Sequence, residues 1–172
     1  MRTGVNLKLI SKAALLAAII IIATVFAKIP LANGYIHLGS AAVFLTMIIL
    51  GRPGIIVASV ATAVSDLISG YAVYLPCSLI AVALMCYLYY LVMPKEFDMI
   101  QDAGGRARDS ERIARLLVRE RIGIREVIAV LLSGTAMVLC YYLYEGGLIY
   151  TFEAALINIP WNILQVLVGY II

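Results

Sequence analysis

Three long stretches of the chain contain no charged residue, and they constrain the fold more than any other feature. They lie at 67–94, 127–144 and 154–172 and are 28, 18 and 19 residues long. A helix of about 20 residues crosses the hydrocarbon core of a bilayer. Across the whole chain, 64% of residues are hydrophobic and 13% are charged, against about 25% charged in soluble domains. The sequence therefore predicts an integral membrane protein.

Three shorter apolar runs, at 13–27, 40–50 and 54–65, become spans when the flanking turns are included. We therefore expect an all-α membrane protein with six transmembrane helices, and five helices with one re-entrant segment is the alternative. The chain forms one membrane domain, residues 1–172, with a cytoplasmic excursion at 94–125. The predicted spans are 8–27, 39–51, 53–70, 72–93, 126–145 and 151–172.

The distribution of Lys and Arg predicts the orientation of these spans. With both termini in the cytoplasm, 12 of the 13 basic residues lie inside and only Lys28 lies outside, as the positive-inside rule requires. The first apolar run follows a basic N-terminal segment, as in a signal peptide, but we interpret it as a retained helix. The basic excursion is expected to lie on anionic headgroups, with docking to a partner as the alternative. No nucleic-acid partner is expected.

The predicted outer loops carry hydrogen-bonding and aromatic side chains. The first loop contains Asn33, Tyr35 and His37, and its Asn-Gly pair favours a tight turn with short paired strands. The second contains Tyr71 and Tyr74. These five residues are candidate substrate contacts, since each offers a polar atom beside the predicted outer surface.

The last span carries three amide side chains on one helical face. Asn158, Asn162 and Gln165 are spaced i, i+4 and i+7. Amides facing lipid would be costly, so this face must meet protein or a polar cavity. Hydrogen bonding between helices is one explanation. Substrate binding is the other, and it makes these three residues candidate site residues.

Small residues form stripes on two other spans. The first span carries overlapping A-x-x-x-A pairs, and the third carries small residues at three- and four-residue steps. Small stripes let another helix backbone approach closely. We expect the third-span stripe to pack inside the protein and the first-span stripe to be a candidate docking surface for a partner. The alanines of this docking surface are Ala13, Ala14, Ala17 and Ala18.

The sequence lacks the motifs of an enzyme. There is no phosphate-binding G-x-x-x-x-G-K-[ST] string, and a single histidine cannot form H-E-x-x-H. We therefore expect no catalysis, no cofactor and no metal. An integral membrane enzyme is the weakest alternative, and a ligand-free assembly or structural subunit is the other.

Four strings together resemble a known transporter family. They are the alanine pairs at 13–18, GYIHLGSAAVFL at 34–45, ATAVSDLISGYAVYLP at 61–76 and NIPWNILQVLVG at 158–169. They resemble the substrate-binding S components of energy-coupling factor (ECF) vitamin transporters. Ser40 departs from the family, which often has Asp at that position.

The resemblance implies a six-helix fold in the bacterial plasma membrane that binds a small vitamin from outside under the first loop. It also implies a transmembrane coupling protein, reached through the alanine stripe, and two cytosolic ATPases as partners. Neutral amides and tyrosines suit an uncharged heteroaromatic ligand. Within the family, the sequence looks most like members for pyridoxine or hydroxymethylpyrimidine, with riboflavin or another vitamin as the alternative.

Overall fold

The structure is a computed structural model that describes residues 7–31, 34–93 and 123–171. Its described part is helical except for one short hairpin and the connecting turns. The helices and strands are α1 Leu7–Val25, β1 Lys28–Leu31, β2 Gly34–His37, α2 Gly39–Leu50, α3 Arg52–Ile68, α4 Leu75–Val92, α5 Ile124–Tyr144, α6 Phe152–Ala155 and α7 Ile159–Ile171. Single turns of other helix types join them: a 3₁₀ turn at Ala72–Tyr74, a π turn at Glu145–Ile149 and a 3₁₀ turn at Leu156–Asn158.

Four continuous helical stretches among the described residues are long and apolar enough to cross a membrane: Leu7–Val25, Ala72–Val92, Ile124–Ile149 and Phe152–Ile171. They confirm an integral membrane protein. The apolar helix α2 has only 12 residues, about 18 Å at 1.5 Å per residue, and α3 has 17. The predicted count of six spans, the single membrane domain at 1–172 with the predicted span bounds, and the cytoplasmic location of both termini stay predictions.

Proline and glycine set where the helices begin. Pro53 lies in the first turn of α3 and Pro76 in the first turn of α4, where the missing backbone N–H would have no partner within the helix. Gly51 has φ 60° between α2 and α3, a conformation that favours glycine. It reverses the chain within one residue, and this is why two predicted spans can follow each other so closely.

The small-residue stripe of α3 packs inside the bundle, as predicted. Gly54, Ala58, Thr62 and Ser65 are all buried. The hydroxyl groups of Thr62 and Ser65 donate to backbone carbonyl oxygens one turn earlier in the same helix, at 2.9 and 2.8 Å. These polar side chains are therefore hydrogen-bonded without help from another helix.

The strands β1 and β2 form an antiparallel hairpin, which confirms the predicted strand pairing. Lys28 pairs with His37 and Leu31 with Gly34. Immediately after the hairpin, α2 packs along α7. A Cβ added at Gly169 would come within 2.5 Å of the Ser40 Cβ, so only a glycine lets these two helices approach so closely.

Two basic residues lie in the first turns of α3 and α5. The Arg52 guanidinium lies 5.4 Å from the centre of the Tyr90 ring, and Arg125 Nη2 donates to the Val92 carbonyl oxygen at 2.8 Å. The second contact joins the end of α4 to the start of α5. The predicted basic excursion lies almost entirely at 94–122, outside the described residues.

Candidate functional site

A small cavity of about 10 Å³, with room for about one water molecule, lies among the helices next to the hairpin. Side chains from β2 and from five helices converge on it, and α1 is the long helix that contributes none. Among the described residues, no residue in its lining carries a formal charge at neutral pH. The lining consists of His37, Ser40, Val43, Thr62, Val82, Met85, Met137, Tyr141 and Gln165.

Two of these residues connect the hairpin to the last helix. The His37 backbone N–H donates to Gln165 Oε1 at 3.3 Å, and the Gln165 side chain is buried. This contact holds the hairpin against α7 at the edge of the cavity. It brings together two predicted site residues that are 128 positions apart in the chain.

The imidazole of His37 is held in one protonation state. Desolvation by the surrounding protein lowers the pKa of His37 to about 4, so the ring is neutral at pH near 7. Its Nδ1 accepts a hydrogen bond from the Gly39 backbone N–H at 3.0 Å. The proton of the neutral ring is therefore on Nε2, which makes Nε2 a hydrogen-bond donor beside the cavity.

Tyr141 is fixed on another side of the cavity. Its hydroxyl group is hydrogen-bonded to Ser78 Oγ at 2.8 Å, across the interface of α4 and α5. Its ring lies 6.4 Å from that of Tyr74, measured between centroids. The phenol is thus positioned before any ligand arrives.

Asn158 lies in a separate buried cluster at the end of α5. Its Nδ2 donates to Glu145 Oε2 at 2.9 Å, and both side chains are buried. Tyr74 is also buried and is hydrogen-bonded to the same carboxylate. The connection from α5 to α7 begins at Glu145 with the π turn, passes through α6 and ends at Asn158 with the 3₁₀ turn, so this bond joins its two ends.

The remaining predicted residues fall in other places. Asn162 is half-buried on α7 and lies outside the set that lines the cavity, and Tyr71 is half-buried with its ring 6.3 Å from that of Tyr74. Asn33 lies outside the described residues, and Tyr35 is described only as the β2 residue paired with Pro30.

The alanine stripe of α1 divides into two pairs. Ala14 and Ala18 are exposed, whereas Ala13 and Ala17 are half-buried. Ala17 packs against the hydrophobic core. Because Ala14 and Ala18 are one turn apart, they form a flat surface on the outside of the bundle.

Sequence reasoning missed most of the apolar lining of the cavity. Met137 and Tyr141 are one turn apart on α5, and Met85 faces them from α4. A tyrosine inside a charge-free span was the available signal for Tyr141. The methionines and valines have no such signal, since an apolar residue that lines a cavity resembles one that fills a core.

The described residues contain no group of three or more His, Cys, Asp or Glu side chains that could hold a metal ion.

No curated protein and no solved structure matches the chain. One family does match, over residues 4–172: ECF-type riboflavin transporter, S component. Its members are substrate-binding subunits of transporters and not enzymes, which agrees with an uncharged cavity buried among apolar helices. With nearly every residue included in that match, the chain belongs to the S components of ECF-type riboflavin transporters.

Proposed function

We propose that this chain captures a neutral heteroaromatic vitamin in the cavity beside the hairpin, and that riboflavin is the first candidate. The observation that carries the proposal is the cavity itself, because it combines an uncharged lining with the His37–Gln165 contact. The family match supports riboflavin over the alternatives. Pyridoxine and hydroxymethylpyrimidine, which the sequence favours, are the competing candidates.

The lining offers both kinds of hydrogen-bonding group that a heteroaromatic ring needs. The Gln165 amide supplies donors and an acceptor, His37 Nε2 supplies a donor, and the Thr62 hydroxyl, whose proton is donated to the Ala58 carbonyl oxygen, supplies an acceptor. Apolar side chains complete the walls. A strongly anionic ligand would lack a cationic partner among these residues.

The other candidate residues are assigned supporting roles in this proposal. The hairpin from Lys28 to His37 covers the ligand, and Asn162 contacts a ligand that extends along α7. Asn158 and Tyr74 act through Glu145 by holding α7 in place. The further proposed contacts are Asn33, Tyr35 and Tyr71.

The proposed partners are a transmembrane coupling protein and two cytosolic ATPases. The exposed pair Ala14 and Ala18 is the proposed docking surface for the coupling protein, because a flat surface of small residues permits close helix approach. The chain would lie in a bacterial plasma membrane with both termini in the cytoplasm. ATP hydrolysis by the partners would then drive reorientation of the chain.

Ligand extraction and titration test this function. We expect mass spectrometry of small molecules extracted from the purified protein to detect riboflavin. Titration of ligand-free protein with riboflavin, pyridoxine and hydroxymethylpyrimidine separately should give saturable binding, tightest for riboflavin. An Ile56→Leu variant, changed at an exposed position of α3, is the matched control and should bind as the wild type does.

Tighter binding of pyridoxine or hydroxymethylpyrimidine would reverse the choice of substrate and leave the proposed site intact. Absence of saturable binding for all three ligands, in protein that unfolds cooperatively, would contradict the proposal. It would favour a ligand-free assembly subunit.

A further inference from the structure

Two methionine side chains face the cavity from adjacent helices. Met85 belongs to α4 and Met137 to α5. Their side chains are almost completely buried, with 1% and 2% of their surface exposed. Both belong to the hydrophobic core and to the cavity lining at once.

The cavity of the free protein is too small for any of the candidate vitamins, and most of all for one with several fused rings. Its volume is about 10 Å³, the space of about one water molecule, whereas sites for drug-sized ligands occupy about 300–1,000 Å³. A single heteroaromatic ring enters only if the walls move, and a tricyclic ring with a polar side chain requires a larger movement. One wall of the cavity must therefore move when such a ligand binds.

The other walls of the cavity are stiff. β-Branched side chains have strongly restricted χ1 angles, and Tyr141 and Gln165 are held by Ser78 and His37 at 2.8 and 3.3 Å. Methionine is unbranched with three rotatable side-chain bonds, so it changes shape within a packed core more easily than its neighbours. The β-branched residues of the lining are Val43, Thr62 and Val82.

We infer that Met85 and Met137 form an adjustable wall, which fills part of the site in the free protein and rearranges to admit a tricyclic heteroaromatic ligand. These two residues then set the upper size limit for the ligand. The inference rests on the proposed function and adds the residues that determine which ring systems fit.

Leucine replacements test the adjustable wall. Leucine has a volume close to that of methionine but is branched and has fewer rotatable bonds, so the double variant Met85→Leu, Met137→Leu should fold. We expect its affinity for riboflavin to fall about tenfold or more, because the wall no longer adapts. Its affinity for pyridoxine, where measurable, should change less than about threefold. Met47→Leu is the matched control, since Met47 is fully buried but does not line the cavity.

Wild-type affinity for riboflavin in the double variant would overturn the inference and leave the proposed function standing. Equal losses for riboflavin and pyridoxine would also overturn it, since size would then not matter. If the wild type binds neither ligand, the proposed function and the inference both fail.

Methionine methyl resonances of the wild-type protein provide a measurement that does not depend on folding of the variant. With ¹³C-methyl methionine, the signals of Met85 and Met137 should move on saturation with riboflavin, and that of Met47 should stay in place. Single Met→Leu variants assign the three signals. Unchanged Met85 and Met137 signals in riboflavin-saturated protein would overturn the inference.

Discussion

At the scale of single residues, Gln165 lines the cavity, but the spacing of the three amides does not indicate that it differs from its neighbours. The sequence puts three amides on one face of the predicted last span, yet the structure places one in the cavity lining and one against a carboxylate. Helical spacing predicts which side chains point the same way. It does not predict what lies opposite each of them, because that depends on the neighbouring helices.

We expect Gln165→Ala to weaken ligand binding about tenfold or more. The change leaves polar atoms of the ligand and the His37 backbone N–H without a partner, at a cost of about 1–3 kcal/mol. Calorimetric titration of folded protein measures the effect. Asn162→Ala is the comparison variant on the same helix: Asn162 is a proposed contact outside the cavity lining, so this variant should lose less affinity than Gln165→Ala. A larger loss for Asn162→Ala would move the polar centre of the site toward Asn162.

The His37 imidazole predicts a pH dependence of stability. Its pKa is about 4 in the folded protein and about 6.5 when unfolded. Above about pH 6.5 both states are neutral, so His37 adds no pH dependence. Between about 6.5 and 4 the unfolded state binds more protons, so the free energy of unfolding falls as pH falls, by at most about 1.4 kcal/mol per pH unit.

Thermal unfolding in detergent at about pH 7 and about pH 5 checks this sign. His37→Asn keeps an acceptor for the Gly39 N–H and removes the titration, so its melting temperature should decrease less on acidification than that of the wild type. An equal decrease in both proteins would assign the pH dependence to other groups.

At the scale of secondary-structure elements, the sequence predicted the helices better than their ends. Charge-free runs predicted α4, α5 and the last helix, and the Asn-Gly signal predicted the hairpin. The predicted last span, 151–172, corresponds to the continuous helical stretch Phe152–Ile171, which is not one regular α-helix but a short helix, a 3₁₀ turn and α7. Pro160 lies at the start of α7, and Asn158 turns toward Glu145. This break in the regular helix depends on a contact with the end of α5, and the hydrophobic periodicity of the sequence does not indicate such a contact.

The bond between Asn158 and Glu145 should stabilise the junction of α5 and α7. We expect Asn158→Ala to lower the free energy of unfolding by about 1–3 kcal/mol, because a buried acceptor loses its donor. Unfolding followed by circular dichroism measures the loss. Affinity per folded molecule should change little, and a large drop in affinity with unchanged stability would instead make Asn158 a ligand contact.

The exposed alanines of α1 predict an effect on assembly. We expect Ala14→Trp or Ala18→Trp to prevent association with the coupling protein, since one large side chain separates closely packed helices. Ligand binding should stay intact, because α1 does not line the cavity. Co-purification with the partner measures association. Ile19→Trp, at another exposed position of α1, is the control and should assemble normally.

At the scale of the whole molecule, the membrane character follows from composition, whereas the site requires the fold. Lining residues come from positions 37 to 165, and only packing of the helices brings them together. The charge pattern predicts the orientation, which cysteine labelling can measure in intact cells. A single cysteine introduced at Lys28, in a variant without native cysteines, should react with an impermeant reagent. A cysteine introduced at Arg52 should not, and reaction at Arg52 alone would reverse the topology.

The close approach of α2 and α7 at Gly169 has a consequence for how long a ligand stays bound. The hairpin is attached to α7 through Gln165, and α2 continues that contact at Ser40. A molecule in the cavity leaves through this side only after protein atoms have separated from one another. For a ligand that leaves by this route, the rate at which these protein contacts open is therefore an upper limit on the dissociation rate. The residence time of the ligand then depends on the protein as well as on the ligand. A partner that separates α2 from α7 would shorten this residence time without contacting the ligand.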